Sequence, residues 1–265
     1  MNLLKRELAP LTTEAWDQID EQARTVLQSL LTARRFADVS GPHGPELSTV
    51  STGRLALPGG KKRDSHFYGI RQAVHLVEVR IPFELNIWEM DNAARGAQDL
   101  ELSALDQAAA KLAAFEEGIL YSGSDDAGIK ALRQAVSHDP IPYKQEAESF
   151  ISALAKGITQ LKAAAVDGPY ALVVDPSMWE LLSSYVHGRP LEDHLRYLLG
   201  GPLLLSEYTL APFLISLRGG DLELILGQDI AVGYQKHDDE KVELFLTETF
   251  TYRLLEPSAI VFFGE

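Results

Sequence analysis

Few side chains in this sequence are spaced to make or break a covalent bond. There is no cysteine, so thiolate nucleophiles, disulfides and Cys-ligated zinc are excluded. No Gly-x-Ser-x-Gly elbow, His-Glu-x-x-His pair or Walker loop occurs, and the seven histidines stand singly. The one dense polar cluster is His237-Asp238-Asp239-Glu240. It lies between strand-like segments that end at Tyr234 and begin near Val242, and it reads as a charged hairpin turn rather than a metal site. The carboxylate pairs Glu116-Glu117 and Asp125-Asp126 are adjacent in sequence. Neighbours on a helix diverge, so they are poor candidates for an acid/base pair. Trp88 follows Arg80 by eight residues. An exposed indole near a guanidinium can stack a planar anion, and a partly buried Trp at a subunit contact fits the same residues. Intrinsic catalysis and a resident metal are not expected.

The elements around these residues are more legible. Thr12-Thr13-Glu14 is a helix start with a Thr cap and an acid in the first turn. Trp16, Ile19, Ala23, Val26 and Leu30, flanked by Leu27 and Leu31, then form one apolar stripe, with Asp17, Asp20, Glu21 and Gln28 on the other face. The stripe fits a helix lying on its own core, and equally a wall of a groove open to a guest peptide. Residues 49–77 predict an extended hairpin. From Arg54 to Arg71 five basic residues (Arg54, Lys61, Lys62, Arg63, Arg71) meet one acid (Asp64), a net +4. Such a hairpin is either a solvated surface feature or an arm laid across a neighbouring copy, where complementary charge sets docking and register.

Val77 to Leu85 alternates as a strand, and Pro82 points to a sheet edge or a bulge. A short helix is expected over 86–95 and a long, Ala-rich one over 102–119. After Asp139-Pro140-Ile141-Pro142 come a helix over 145–165, a buried strand Tyr170–Val174, and two helices opened by Pro176 and Pro190. Strands follow from Leu203. Arg218-Gly219-Gly220-Asp221 and the alternating residues up to Arg253, with Gly227 and Gly233 at expected bends, predict strand, tight turn, strand, turn, strand. The layout is α+β, without internal repeats.

Composition narrows the class further. The chain has 265 residues, 46% of them hydrophobic, enough for a sizeable core. A net charge of −14 argues against nucleic-acid wrapping, which needs a basic surface. The start lacks the apolar region of a signal peptide, and no run approaches the roughly 18 apolar residues that span a bilayer. A soluble, cytoplasmic protein with no nucleic-acid or membrane partner is expected.

The opening Leu3-Leu4-Lys5-Arg6-Glu7-Leu8-Ala9-Pro10-Leu11-Thr12, the Gly227-Gln228-Asp229 stretch and Leu244 to Arg253 together resemble the bacterial encapsulins, the linocin-type family. The resemblance extends through Arg34–Pro45, Glu78–Arg95, Asp167–Tyr170 with Pro190-Leu191, and Arg218–Pro257. It implies the HK97-like capsid fold of tailed phages, with an N-terminal helix and the start of the P-domain (1–48), an extended arm or E-loop (49–77), the P-domain with its spine helix (78–136), an inserted A-domain (137–228) and the C-terminal P-domain strands (229–265). It also implies a homo-oligomeric icosahedral shell, with the reaction left to an enclosed cargo enzyme such as a dye-decolourising peroxidase or a ferritin-like protein.

Three surfaces follow from the resemblance. The cargo's C-terminal peptide would dock on Ile19, Ala23, Val26, Leu27, Leu30, Leu31, Arg34, Asp38, Asp229, Ile230, Val232 and Tyr234. A pore loop would comprise Tyr185, Val186, His187, Gly188 and Arg189. Some members bind a flavin at a Trp in the Trp88 stretch, and Trp88 and Arg80 match that pattern, although no cofactor is required. A prophage capsid protein, and a peptidase or bacteriocin of the linocin type, are the alternatives.

Overall fold

The computed structural model describes residues 3–57, 68–184 and 191–264. The arm tip at 58–65 and the expected pore residues Tyr185 to Arg189 lie outside the described residues.

The frame of the first layer is a long hairpin. Strand β8 (Leu222–His237) and strand β9 (Lys241–Leu254) pair antiparallel along most of their length. Asp238 Oδ1 accepts from the backbone N–H groups of Glu240 and Lys241 at the turn, each at 2.8 Å, so the polar cluster is a hairpin tip. Strand β1 (Asp38–Ser40) adds parallel to β8, and strand β4 (Val77–Asn86) adds antiparallel to β9, giving the order β1-β8-β9-β4. Pro82 is therefore on an edge strand, where its missing N–H leaves no ladder bond unmade.

The bends expected at Gly227 and Gly233 are not turns. Both glycines lie inside the single strand β8. A Cβ on Gly227 would sit 2.5 Å from Thr249 Oγ1, and one on Gly233 would sit 2.3 Å from the Phe245 ring. These glycines admit close neighbours within the sheet. The turns themselves are at Gly219-Gly220, both with positive φ, and at the 238–240 tip.

Helix α3 (Ser103–Ser122) packs on β4 and β9 of this sheet, and α1 (Thr13–Leu30) lies against α3 and against α2 (Ile87–Ala94), which leads from β4 into α3. Leu105, Ala108, Ala109, Leu112 and Ala113 are buried along α3; the small side chains let it lie close to α1 and β4.

The second layer is the sheet β10-β7-β5-β6, formed by β5 (Tyr170–Val174), β6 (Leu203–Leu205), β7 (Phe213–Ser216) and β10 (Ile260–Phe262). Every residue of β5 is buried. A short helix α4 (Leu132–Ala135) precedes this layer, and α5 (Ala147–Ala163), α6 (Pro176–Ser184) and α7 (Leu191–Leu199) accompany it. Two expected segment limits cut across elements. Leu222–Gln228 belong to β8 and the first sheet, because they pair with the far half of β9. Ile260–Phe262 pair with β7, and Phe263 packs edge-on against Phe150 at 5.3 Å, so this stretch completes the second layer.

The arm is a two-stranded ribbon, β2 (Thr49–Ala56) with β3 (Ile70–His75). Leu55, Leu57, Tyr68 and Ile70 are all exposed on it.

Candidate functional site: a groove between the first helix and the long hairpin

Thr12 sets the start of α1: its Oγ1 accepts from the Ala15 N–H at 3.3 Å. Trp16, Ile19, Ala23 and Leu27 then turn into the core. Where α1 ends, a short 3-10 turn (Ala33–Arg35) leads into β1. Opposite it, β8 carries an extra residue at each of two places, between Leu226 and Gln228 and between Gln228 and Ala231. Bulges of this kind re-aim side chains, and here Asp229 faces the turn after α1, with its Oδ1 2.8 Å from Arg34 Nη1.

The result is a groove of about 580 Å³. Ala23, Leu27 and Leu31 line one wall, Ile230, Ala231 and Val232 the other, with Leu246 between them and Arg6, Asp20, Arg24, Gln28, Arg34, Arg35 and Asp229 as its polar lining. Of the residues expected to meet a guest peptide, Ala23, Leu27, Leu31, Arg34, Asp229, Ile230 and Val232 are brought together here. The others are elsewhere. Ile19 is fully buried beneath the helix. Val26 and Leu30 pack against the same core. Asp38 accepts from the Gly220 N–H at 2.5 Å on the far side of β1. Tyr234 pairs with Leu4 through its backbone N–H and with His237 through its hydroxyl.

Several lining residues escape sequence reasoning. Asp20 and Gln28 belong to the polar face of α1 yet border the groove. Arg6 comes from a 3-10 turn (Arg6–Leu8) folded back on α1, where it lies 3.9 Å over the Trp16 ring and pairs with Asp20 at 2.8 Å. Arg24 is an exposed helix residue paired with Glu21. Leu246 had a usable signal, since it sits opposite Val232 in the hairpin register.

Beneath the polar rim is a charge network. Arg34 pairs with Glu116 at 2.9 Å, Glu248 at 2.6 Å and Asp229 at 2.8 Å. Burial disfavours its charge, but the two buried carboxylates outweigh that and hold the guanidinium protonated. Glu117 points away from Glu116: its Oε1 accepts from the Ala33 N–H at 2.7 Å and its Oε2 from the Thr32 hydroxyl at 2.5 Å. Burial lifts the Glu117 carboxyl to about 7, against the opposing pull of those two hydrogen bonds. The adjacent glutamates do diverge, as helix geometry requires, and both serve to fix the turn that carries Arg34.

Trp88 and Arg80 do not meet within the subunit. Arg80 lies in mid-β4, over the Phe245 ring at 4.2 Å, while Trp88 is on α2 beyond the end of that strand and 70% exposed. At about 3.3 Å per strand residue, their backbones stand roughly 20 Å apart. The cleft beside Trp88 is lined by Glu84, Glu89 and Glu101 with Arg95, a poor surround for a flavin phosphate. The residues of one subunit do not fit the group. Among the described residues no cluster of His, Asp and Glu could hold a metal ion, and no helix is long and apolar enough to cross a membrane.

Comparisons with known proteins bear on the family and the fold. The family described as "Encapsulating protein for peroxidase" matches residues 1–251. The type 1 encapsulin shell protein of Mycobacterium tuberculosis is 34% identical over 95% of each chain, and that of Brevibacterium linens is 35% identical over 98% of each. A virus-like particle from Pyrococcus furiosus superposes with a TM-score of 0.67 at 15% identity, covering 95% of this chain and all of that one. The capsid of Myoviridae phage XM1 gives 0.57 at 14% identity, covering 89% and 92%; likeness at these identities reflects the shared HK97-like capsid fold. The relatives named are structural shell proteins, and the reading as a shell subunit rather than an enzyme follows from them. This chain belongs to the type 1 encapsulin shell protein family.

Proposed function

We propose that this shell protein closes into an icosahedral compartment of about sixty copies, the smallest closed arrangement of that symmetry, and that it loads a guest enzyme by binding the guest's C-terminal tail in the α1–β8 groove. The groove itself carries the reading. It has apolar walls from Ala23, Leu27, Leu31, Ile230 and Val232, and charged groups at its rim that can orient a peptide. Each docking event can be weak, because many equal sites facing one closed interior raise the effective concentration of guest.

Assembly is supported by the exposed apolar side chains. Leu55, Leu57, Tyr68 and Ile70 on the arm, with Tyr197 and Leu210 near the second sheet, have no core beneath them in a single subunit, and patches of this kind mark contact surfaces. The guest we favour is a peroxidase or ferritin-like protein, with the compartment serving iron storage or oxidative-stress defence in the cytoplasm. The family description, naming peroxidase, supports the first of these guests. A prophage capsid role would share the fold, but full-length relatives at about a third identity favour the compartment.

The test is co-expression with a fluorescent protein fused to the C-terminal tail of a candidate guest, a peroxidase or a ferritin-like enzyme. Hollow, uniform particles that retain the reporter are expected, and Leu27→Asp or Ile230→Asp should give empty particles of the same size. Particles of both variants that load as well as the wild type would remove the groove from the account. A protein that stays monomeric would remove the shell.

A further inference from the structure

Glu116, Glu117 and Glu248 are all fully buried, and a single guanidinium, Arg34, faces two of them together with Asp229. Arg34 has five N–H hydrogens. Nε donates to Glu116, Nη2 to Glu116 and Glu248, and Nη1 to Asp229. One Nη1 hydrogen is left over, on a side chain that is 20% exposed and lines the groove. Glu117 clamps the other side of the same turn through Thr32 and Ala33.

Resting on the groove reading above, we propose that Glu248 and Glu116 are positioning residues of the guest site: they hold Arg34 as a fixed cationic donor to a backbone carbonyl of the docked tail. An arginine free to swing would lose rotamer entropy on meeting a guest; one already held by two buried carboxyl groups, the charged Glu116 and the neutral Glu248, does not.

Two fully buried carboxylates facing one guanidinium that also pairs with the half-exposed Asp229 would leave excess negative charge in a dry site, which is costly. A proton removes the excess. Glu116 and Glu248 meet at the same Arg34 Nη2, and Glu248 Oε2 is buried with no hydrogen-bond partner, an oxygen suited to carry a hydrogen. Burial, and then the Glu116 carboxylate, push the Glu248 carboxyl well up, against the pull of Arg34. The charged and titratable groups that act on it are Arg34, Asp229 on β8, Glu116 on α3 and Tyr252 on β9. With Glu248 neutral, Arg34 keeps its orientation. Once alkali ionises Glu248, two like charges compete for the guanidinium and the donor is no longer fixed.

Glu248→Gln keeps a neutral side chain that can accept from Arg34 and donate to Glu116, whereas Glu248→Ala and Glu116→Ala remove the hold. In the reporter assay above, Glu248→Gln should load like wild type at neutral pH, and the alanine variants should load roughly tenfold less, the scale of losing one charge-assisted hydrogen bond. Raising the pH should release the reporter from wild-type particles and leave Glu248→Gln particles loaded. Infrared spectra of the empty shell should contain a protonated-carboxyl band at neutral pH that loses part of its intensity in Glu248→Gln, the remainder belonging to Glu117 and titrating away near pH 7.

Equal loading by wild type and Glu248→Ala would overturn the positioning role and leave the groove intact. If the alanine variants form no particles, the Glu248→Gln pH profile decides: a profile matching wild type overturns the role. A wild-type shell that takes up no reporter overturns the groove reading, and the positioning role with it.

Discussion

The chain contains two antiparallel hairpins with opposite fates. In β8–β9 most inward side chains are buried, because α3 lies on β9 and β4 with α1 packed beside it. In β2–β3 nearly every residue is open to solvent, including Leu55 and Ile70. A two-stranded ribbon alone is marginally stable in water. The difference is therefore one of what covers them: the long hairpin has helices of its own subunit over it and can hold a preformed site, whereas the arm has no such cover within the subunit.

That contrast can be broken hardest in the long hairpin. Phe250 is fully buried in β9, edge-on to Tyr252 and Phe115. Phe250→Ala should cost about 3–5 kcal/mol and appear as a large drop in the denaturant midpoint of the subunit. Next comes Glu117. Its folded-state pKa of about 7 lies above the ordinary 4.5, so the folded state binds that proton more tightly than the unfolded one. The associated stability is full below about pH 4.5 and is lost as the pH rises to about 7, in total on the order of 3 kcal/mol. Denaturation midpoints followed across that window should fall more steeply in wild type than in Glu117→Gln; parallel slopes would count against the buried carboxyl.

Gly233→Ala sets a methyl group against the Phe245 ring, and overpacking of this kind should destabilise by about 1–3 kcal/mol in the same assay. The smallest effect on subunit stability belongs to the arm. Leu57→Asp should move the midpoint by less than about 0.5 kcal/mol, as exposed substitutions do, while abolishing the large particle in sedimentation. An arm variant that still assembles normally would erase the distinction between the two hairpins.

How far these features can be read from sequence follows the same divide. The α1 stripe, the Thr12 cap, the buried strand at Tyr170–Val174 and the edge position of Pro82 are local patterns, and the structure contains each of them. The α+β class and the family rest on such patterns repeated over the chain. The groove is only partly legible, because Ile19 and Ala23 occupy equivalent places in the stripe and differ only in whether α3 or empty space lies beyond them. The bulges in β8 are invisible to period-two reasoning, so Gly227 and Gly233 look like bends when they are points of close approach. The partners of Arg34 are beyond any local pattern: Glu116 and Glu248 are 82 and 214 residues away in sequence.

The strand β10 has a consequence for how the molecule is made. It closes the second sheet against β7, beside Phe263 on the Phe150 ring, yet it leaves the ribosome after every other strand of the described residues. A nascent chain whose Ile260 is still in the exit tunnel has an open β7 edge and an unfinished second layer.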